Sequence, residues 1–241
     1  MAALHLDPKL TREAIQTAIT DMVAASGFRN SYVAMVCCRG VPKIPGSRDP
    51  RQCENYFYAW CVPYAWVIPP AVIEQGASAC LATSVQRIPD GSLNPAVKTY
   101  HWGDFTRGLF EAKEKNFETV ILLDQAGHVI EGLGFNVFVI KGDTVMTSGH
   151  GVLGGITRRS VVEIAQTLGL RVEIAPLPRA ELLSADEVFI SSSAWVVIPL
   201  VNVEGKIFSN GVCGPVTKTI HTTYWDWMRR PEYRTEITYA T

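Results

Sequence analysis

The order of segments in this 241-residue chain predicts a mixed α/β (α+β) fold in two domains. Runs rich in Val, Ile, Phe and Tyr read as strands at 31–38, 56–68, 77–85, 119–123, 128–131, 136–140, 171–174 and 187–200. Segments of helical period interrupt them irregularly, so the order is neither all hairpin nor a repeating strand–helix–strand unit. Arg87–Pro95 then concentrates turn formers where two apolar blocks meet. The expected division is a small domain over 1–88, a connector at 89–96 and a large domain over 97–241.

Each element has a local reason. Thr11–Ser26 sets Ile15, Ile19, Met22 and Val23 at helical spacing and meets Gly27, a glycine C-cap. Arg39–Asn55 is a polar loop with prolines, Gly46 and Arg48, long enough to carry function. Trp102–Lys115 is helical through Phe105, Leu109 and Ala112; Asp124–Gly127 and Lys141–Asp143 are hairpin punctuation. Thr157–Leu168 forms a helix with Val161, Ile164, Ala165 and Leu168 inward, and Thr217–Met228 closes the chain as an aromatic-rich helix. No internal repeat or low-complexity tract is present.

Apolar residues make up 47% of the chain and aromatics 10%, ample for a buried core in a soluble globular protein. A formal charge of −1, with no Lys/Arg cluster, gives no field to attract nucleic acid or anionic lipid. Cysteines at 37, 38, 53, 61, 80 and 213 form no CxxC pair and read as reduced, mostly packed thiols, so no metal site is expected. No basic leader and no apolar stretch of membrane-spanning length occurs, which indicates an intracellular, non-membrane location in cytoplasm or mitochondrion.

Three segments carry chemistry. Lys98 lies in Val97-Lys98-Thr99-Tyr100-His101-Trp102-Gly103-Asp104. A lone lysine is ordinarily a solvated surface charge, but this aromatic run is expected to strip water from the ammonium, as a Schiff-base lysine requires. Glu131 follows the apolar pair Val129-Ile130 on a strand. It is either a strand-end carboxylate in solvent or one held against a pyridine nitrogen so that the ring accepts electrons. Leu153-Gly154-Gly155-Ile156-Thr157 opens a helix. It is either an ordinary Thr N-cap or a cradle of backbone N–H groups for an anion. Ser191-Ser192-Ser193 adds hydroxyls at a strand end. Amine, carboxylate and phosphate cradle together point to pyridoxal phosphate (PLP).

These segments, VKTYHWGDFTRGLFEA, GHVIEGLGFNVFVIKG, HGVLGGITRRSV and DEVFISSSAWVVIP, resemble in order and spacing the fold-type IV PLP-dependent aminotransferases. That group includes branched-chain and D-amino-acid aminotransferases and aminodeoxychorismate lyases; the chain is most similar to the fungal (R)-selective amine transaminases. The resemblance implies that Lys98 forms the Schiff base and shuttles the proton, and that Glu131 pairs with the pyridine nitrogen. Leu153 would pack on the ring. Gly155, Ile156, Thr157 and Ser193 would hold the phosphate. Trp102, Ser192, Ala194, Tyr32 and Arg48 would face substrate. The implied reaction is transamination between an amino acid or small chiral amine and an α-keto acid, through pyridoxamine phosphate, in a homodimer.

The chain also departs from that pattern. The family's small domain begins well upstream, with strands and an arginine that clamps the phosphate, so a truncated small domain is expected. Loss of a bidentate guanidinium contact would weaken cofactor retention roughly tenfold to a hundredfold. This motivates the alternative of a non-catalytic binding or subunit-interaction relative. The family's loop arginine falls near Pro45, which leaves Arg48 or Arg39 as substitutes. Trp195 and Val196 stand where the amine transaminases have glycines, and they are expected to reshape the pocket.

Overall fold

The computed structural model describes residues 1–239, in two compact units: Met1–Ala65 with the chain from Arg234 onward, and Trp66–Tyr233. In the first unit, helix α1 (Arg12–Ser26) starts at Thr11, whose hydroxyl accepts from Ala14 N at 3.1 Å, and stops at Gly27, held at φ 71°. Val23 is its buried residue, and Ile15, Ile19 and Met22 are half-buried. Strands β1 (Ser31–Cys38) and β2 (Tyr56–Pro63) pair antiparallel from Ser31↔Pro63 to Cys38↔Tyr56. Strand β2 ends at Pro63 instead of running to Ile68, because proline has no N–H for the ladder. In the loop between them, the Arg39 guanidinium donates to the carbonyls of Leu4 and His5.

The second unit contains, in order, α2 (Pro70–Gln75), β3 (Ala77–Leu81), α3 (Gly103–Glu114), β4 (Thr119–Leu123), β5 (Val129–Gly132), β6 (Phe135–Lys141) and β7 (Thr144–Ser148). There follow α4 (Ile156–Thr167), β8 (Arg171–Ala175), α5 (Arg179–Ser184), β9 (Glu187–Ser192), β10 (Val196–Val203), β11 (Lys206–Ile207) and α6 (Pro215–Met228). Among the described residues these strands form one nine-stranded mixed sheet. Pairings β10–β3, β3–β4, β4–β5, β5–β6, β6–β9 and β9–β10 close a ring, with β7 and β8 continuing from β6 and β11 from β10. Ring closure gives each of those strands a neighbour on both sides.

Period-2 alternation sorts the sheet residues into layers. On β6, Val137 and Val139 join the cluster that also holds Ile121, Ile190 and Ile198, while Phe138 and Ile140 pack with Val161, Ile164 and Ala165 of α4 and Ile220 of α6. Phe138 stacks on Phe189 directly across the β6–β9 pair, ring centroids 4.8 Å apart. Helix α3 covers Val120 and Leu122 of β4 with Phe105 and Ala112.

Several boundaries differ from the sequence expectation. The units divide at Ala65/Trp66, not at 89–96, because β3 precedes the turn-rich segment yet is laddered to both β4 and β10. The run 187–200 is two strands, broken where Trp195 and Val196 take φ 81° and 66°. Strand β3 ends at Leu81, and α2, β7 and α5 are additional elements too short for a clear period. Leu168 is 39% exposed at the end of α4, and Leu170 packs against the core in its place. No helix among the described residues is long and apolar enough to cross a membrane.

Glu111 fastens α3 to the end of β3. Its carboxylate, 7% exposed, accepts from Thr83 N and Oγ1, Ser84 N and Oγ, and Lys115 Nζ, the last at 2.6 Å. Burial opposes ionisation, but these donors hold the carboxyl well below its usual range. A depressed folded pKa contributes stability that is present above the unfolded value and lost as pH falls through the folded one. Glu111→Gln is therefore expected to lower unfolding free energy by about 2 kcal/mol at neutral pH. In urea titrations the gap from wild type should narrow as pH drops below about 4; a gap constant down to about pH 2 would contradict this.

Candidate active site

Strand register builds the floor of the site. Residues Leu133 and Gly134 turn β5 into β6, so Glu131 lies opposite Asn136, and Asn136 lies opposite Ser191 on β9. Directly opposed residues of antiparallel strands share a face. All three side chains line one cavity of about 240 Å³. Gly132 is required beside them, since a Cβ there would stand 2.1 Å from the Phe135 ring and 2.4 Å from the Val120 carbonyl.

Glu131 is 4% exposed and fully engaged. Its Oε1 accepts from Arg87 Nε at 3.2 Å; its Oε2 accepts from Leu153 N at 3.0 Å and Asn136 Nδ2 at 3.2 Å. Arg87 Nη1 also donates to Asp104 Oδ2 at 2.6 Å, and its guanidinium lies over the Phe105 ring. Burial pushes the Glu131 carboxyl up, against the opposing pull of the Leu153 amide and of Arg87. Such a carboxylate gains most from one more donor or cation on its cavity side.

The wall opposite comes from the start of α4. Its N-cap is Gly155, not Thr157, and among the described residues no N-cap side chain closes its first turn. The first helical bond runs from Arg159 N to Gly155 O, which leaves the amides of 156–158 to outside partners. A Cβ on Gly155 would come within 2.9 Å of Asn136 Oδ1, so glycine keeps this approach open. The Ser191 hydroxyl, on a residue 2% exposed, has no hydrogen-bond partner among the described residues.

The structure gathers Lys98, Trp102, Glu131, Leu153, Gly155, Ile156, Thr157, Ser192 and Ser193 on this one cavity. Ala194 is buried next to the wall, its amide donating to Ser192 Oγ at 3.3 Å, but does not line it. Tyr32, 40% exposed on β1, and Arg48, in the 39–55 loop, belong to the first unit. Lys98 is itself exposed and Tyr100 is 67% exposed, so the flanking aromatics do not strip water from the ammonium as expected. Tyr100 faces solvent, while Trp102 borders the same cavity as Lys98 without burying it.

Sequence reasoning missed Arg87, Asp104 and Asn136, and named Ser191 only as one of three strand-end hydroxyls. Asn136 carried a usable signal: a two-residue turn at Leu133-Gly134 pairs 131 with 136. Arg87 carried none, because it opens a segment of turn formers.

The amino-transferase class IV family model matches residues 1–203. A Methanocaldococcus jannaschii protein assigned as a branched-chain-amino-acid aminotransferase is 30% identical over 227 residues, 93% of this chain and 76% of that protein. The Escherichia coli K12 branched-chain-amino-acid aminotransferase is 27% identical over 93% of this chain and 75% of its own length. Among solved structures, the Thermoproteus uzoniensis branched-chain aminotransferase with norvaline superposes with a TM-score of 0.85 at 26% identity, over 96% of this chain and 77% of that one. The mixed α/β fold is that of the fold-type IV aminotransferases, and the chain belongs to the amino-transferase class IV family.

Proposed function

We propose that this protein is a PLP-dependent aminotransferase that moves an amino group between an amino acid or small chiral amine and an α-keto acid. The observation that carries it is the single cavity joining a lysine, a buried carboxylate and an uncapped helix start. The residues fit the cofactor by their own unmet needs. Glu131 is a buried carboxyl that borders the cavity and whose ionised form burial disfavours, the Ser191 hydroxyl is unpartnered among the described residues, and the α4 amides offer the positive end of a helix dipole to an anion.

When bound, PLP supplies an aldehyde that condenses with primary amines and a ring that takes up the electron pair released at the substrate carbon. Glu131 would keep a proton on the ring nitrogen, its carboxylate direction fixed by Arg87 and Asn136. Lys98 would hold the aldehyde, and its amine is the base that would move the proton at the substrate's amine-bearing carbon. Leu153 would offer the ring an apolar face; Gly155, Ile156, Thr157 and Ser193 would receive the phosphate. Trp102, Ser192 and Ala194 are the substrate-side candidates of this unit, and Tyr32 and Arg48 those of the first. A homodimer located in the cytoplasm completes the proposal.

Branched-chain substrates are favoured as a second, narrower reading by the names of the relatives. PLP-loaded protein should be offered L-leucine, L-valine, D-alanine and both enantiomers of 1-phenylethylamine, each with pyruvate and with 2-oxoglutarate. Chromatography of the new amino acid should reveal turnover with at least one pair, strongest for the L-branched donors on the narrower reading. Pyruvate release from aminodeoxychorismate would move the protein to the lyases, and no product from any pair would sink the proposal.

A further inference from the structure

A second cluster lies on the turn between β4 and β5. Asp124 Oδ1 accepts from the amides of Ala126 at 2.9 Å and His128 at 2.8 Å, which fixes the carboxylate's direction. Its other oxygen, Oδ2, is met by His128 Nδ1 at 3.1 Å and by His150 Nε2 at 2.9 Å. The two imidazoles stand nearly perpendicular, interplanar angle 85°, so they approach from different directions. One ligand atom from each residue lies within 4.8 Å of the others, and among the described residues they are the one such group.

We propose that Asp124, His128 and His150 form a binding site for a divalent transition cation of the zinc type. Two imidazoles and one carboxylate make a borderline donor set suited to Zn²⁺ or Ni²⁺, whereas Mg²⁺ and Ca²⁺ prefer all-oxygen shells. Bonds of about 2.0–2.1 Å in tetrahedral geometry set ligand atoms roughly 3.3 Å apart. The present separations of 2.9 and 3.1 Å need to open by only a few tenths of an ångström. On binding, each nitrogen facing Asp124 would turn a lone pair to the metal, with the ring proton carried on the other nitrogen.

The side chains are 23–38% exposed, so water completes the coordination. A cavity of about 230 Å³ lined by Asp90, Asp124 and His150 gives the cation access. The ligands join the β4–β5 turn to the loop before α4, whose Leu153 amide bonds Glu131. A bound cation would brace that loop from outside the aminotransferase cavity.

The test is calorimetric titration of Zn²⁺ and Mg²⁺ into untagged protein stripped of metal by a chelator and freed of excess PLP. One Zn²⁺ per chain with micromolar affinity is expected, with no heat from Mg²⁺. His150→Ala and Asp124→Asn should each weaken Zn²⁺ binding about tenfold or more, while circular dichroism stays unchanged. Zinc binding unaltered in both variants would place the ion elsewhere on the protein, and absence of binding at hundreds of micromolar would leave only a hydrogen-bonded cluster. Either result overturns the proposal.

Discussion

Lys98→Ala is expected to lose transamination by on the order of a thousandfold or more, together with the visible absorption that PLP gives when condensed with a protein amine. General acid–base work at a single side chain is worth about 10²–10⁴ in rate, and here the same amine also holds the cofactor. Among the described residues no other lysine lines the cavity. Because Lys98 is exposed on a loop, its removal leaves no buried void, and thermal stability should stay within about 0.5 kcal/mol of wild type. Added ethylamine should restore part of the proton transfer in single-turnover experiments, which a structural role would not allow. Activity above a tenth of wild type would exclude Lys98 as the acting amine.

The second large effect is expected at Arg87. Its side chain is 13% exposed and stands between two carboxylates of 5% and 6% exposure, Asp104 and Glu131. Arg87→Leu removes the guanidinium that lies over the Phe105 ring and strands both acids away from water. Removing one partner of such a buried group typically costs about 3–5 kcal/mol, a large part of a domain's usual range of about 5–15. Urea unfolding reads this directly. Adding Asp104→Asn to Arg87→Leu should recover part of the loss, because the uncompensated charge is what hurts. A loss below about 1 kcal/mol for the single variant would mean that water already reaches the pair.

How much of this was written in the chain depends on the range of the signal. The β6 alternation of Val137 and Val139 against Phe138 and Ile140 is local, and its strand was legible. So was the α1 helix, whose start at Thr11 and stop at Gly27 lie within one turn of the residues they cap. Glu131 stood out as an acid at the end of an apolar strand, and the Gly154-Gly155 pair marked a helix start. What failed was non-local. The row Glu131, Asn136, Ser191 exists because β9 lies beside β6, a pairing made by residues far apart in the chain. The clamp of Asp104 and Glu131 on Arg87 spans a helix, a strand and a connector, and His150 meets Asp124 across 26 positions. The desolvation expected around Lys98 failed because the lysine lies exposed on a loop, where aromatic neighbours in sequence need not cover it.

The break between β9 and β10 carries a consequence for how this lineage can change. Trp195 and Val196 hold backbone angles that cost an L-residue with a Cβ roughly 1–2 kcal/mol each. Yet the Trp195 indole lies 5.0 Å from the Trp66 ring and near His221 and Trp225, at 6.2 and 6.3 Å. Glycine at 195 would relax the turn and at the same time open a hole among those three rings. Backbone and aromatic packing therefore pull this position in opposite directions, and easing the turn without loss requires coordinated replacement of its aromatic neighbours, an epistatic barrier set by chirality.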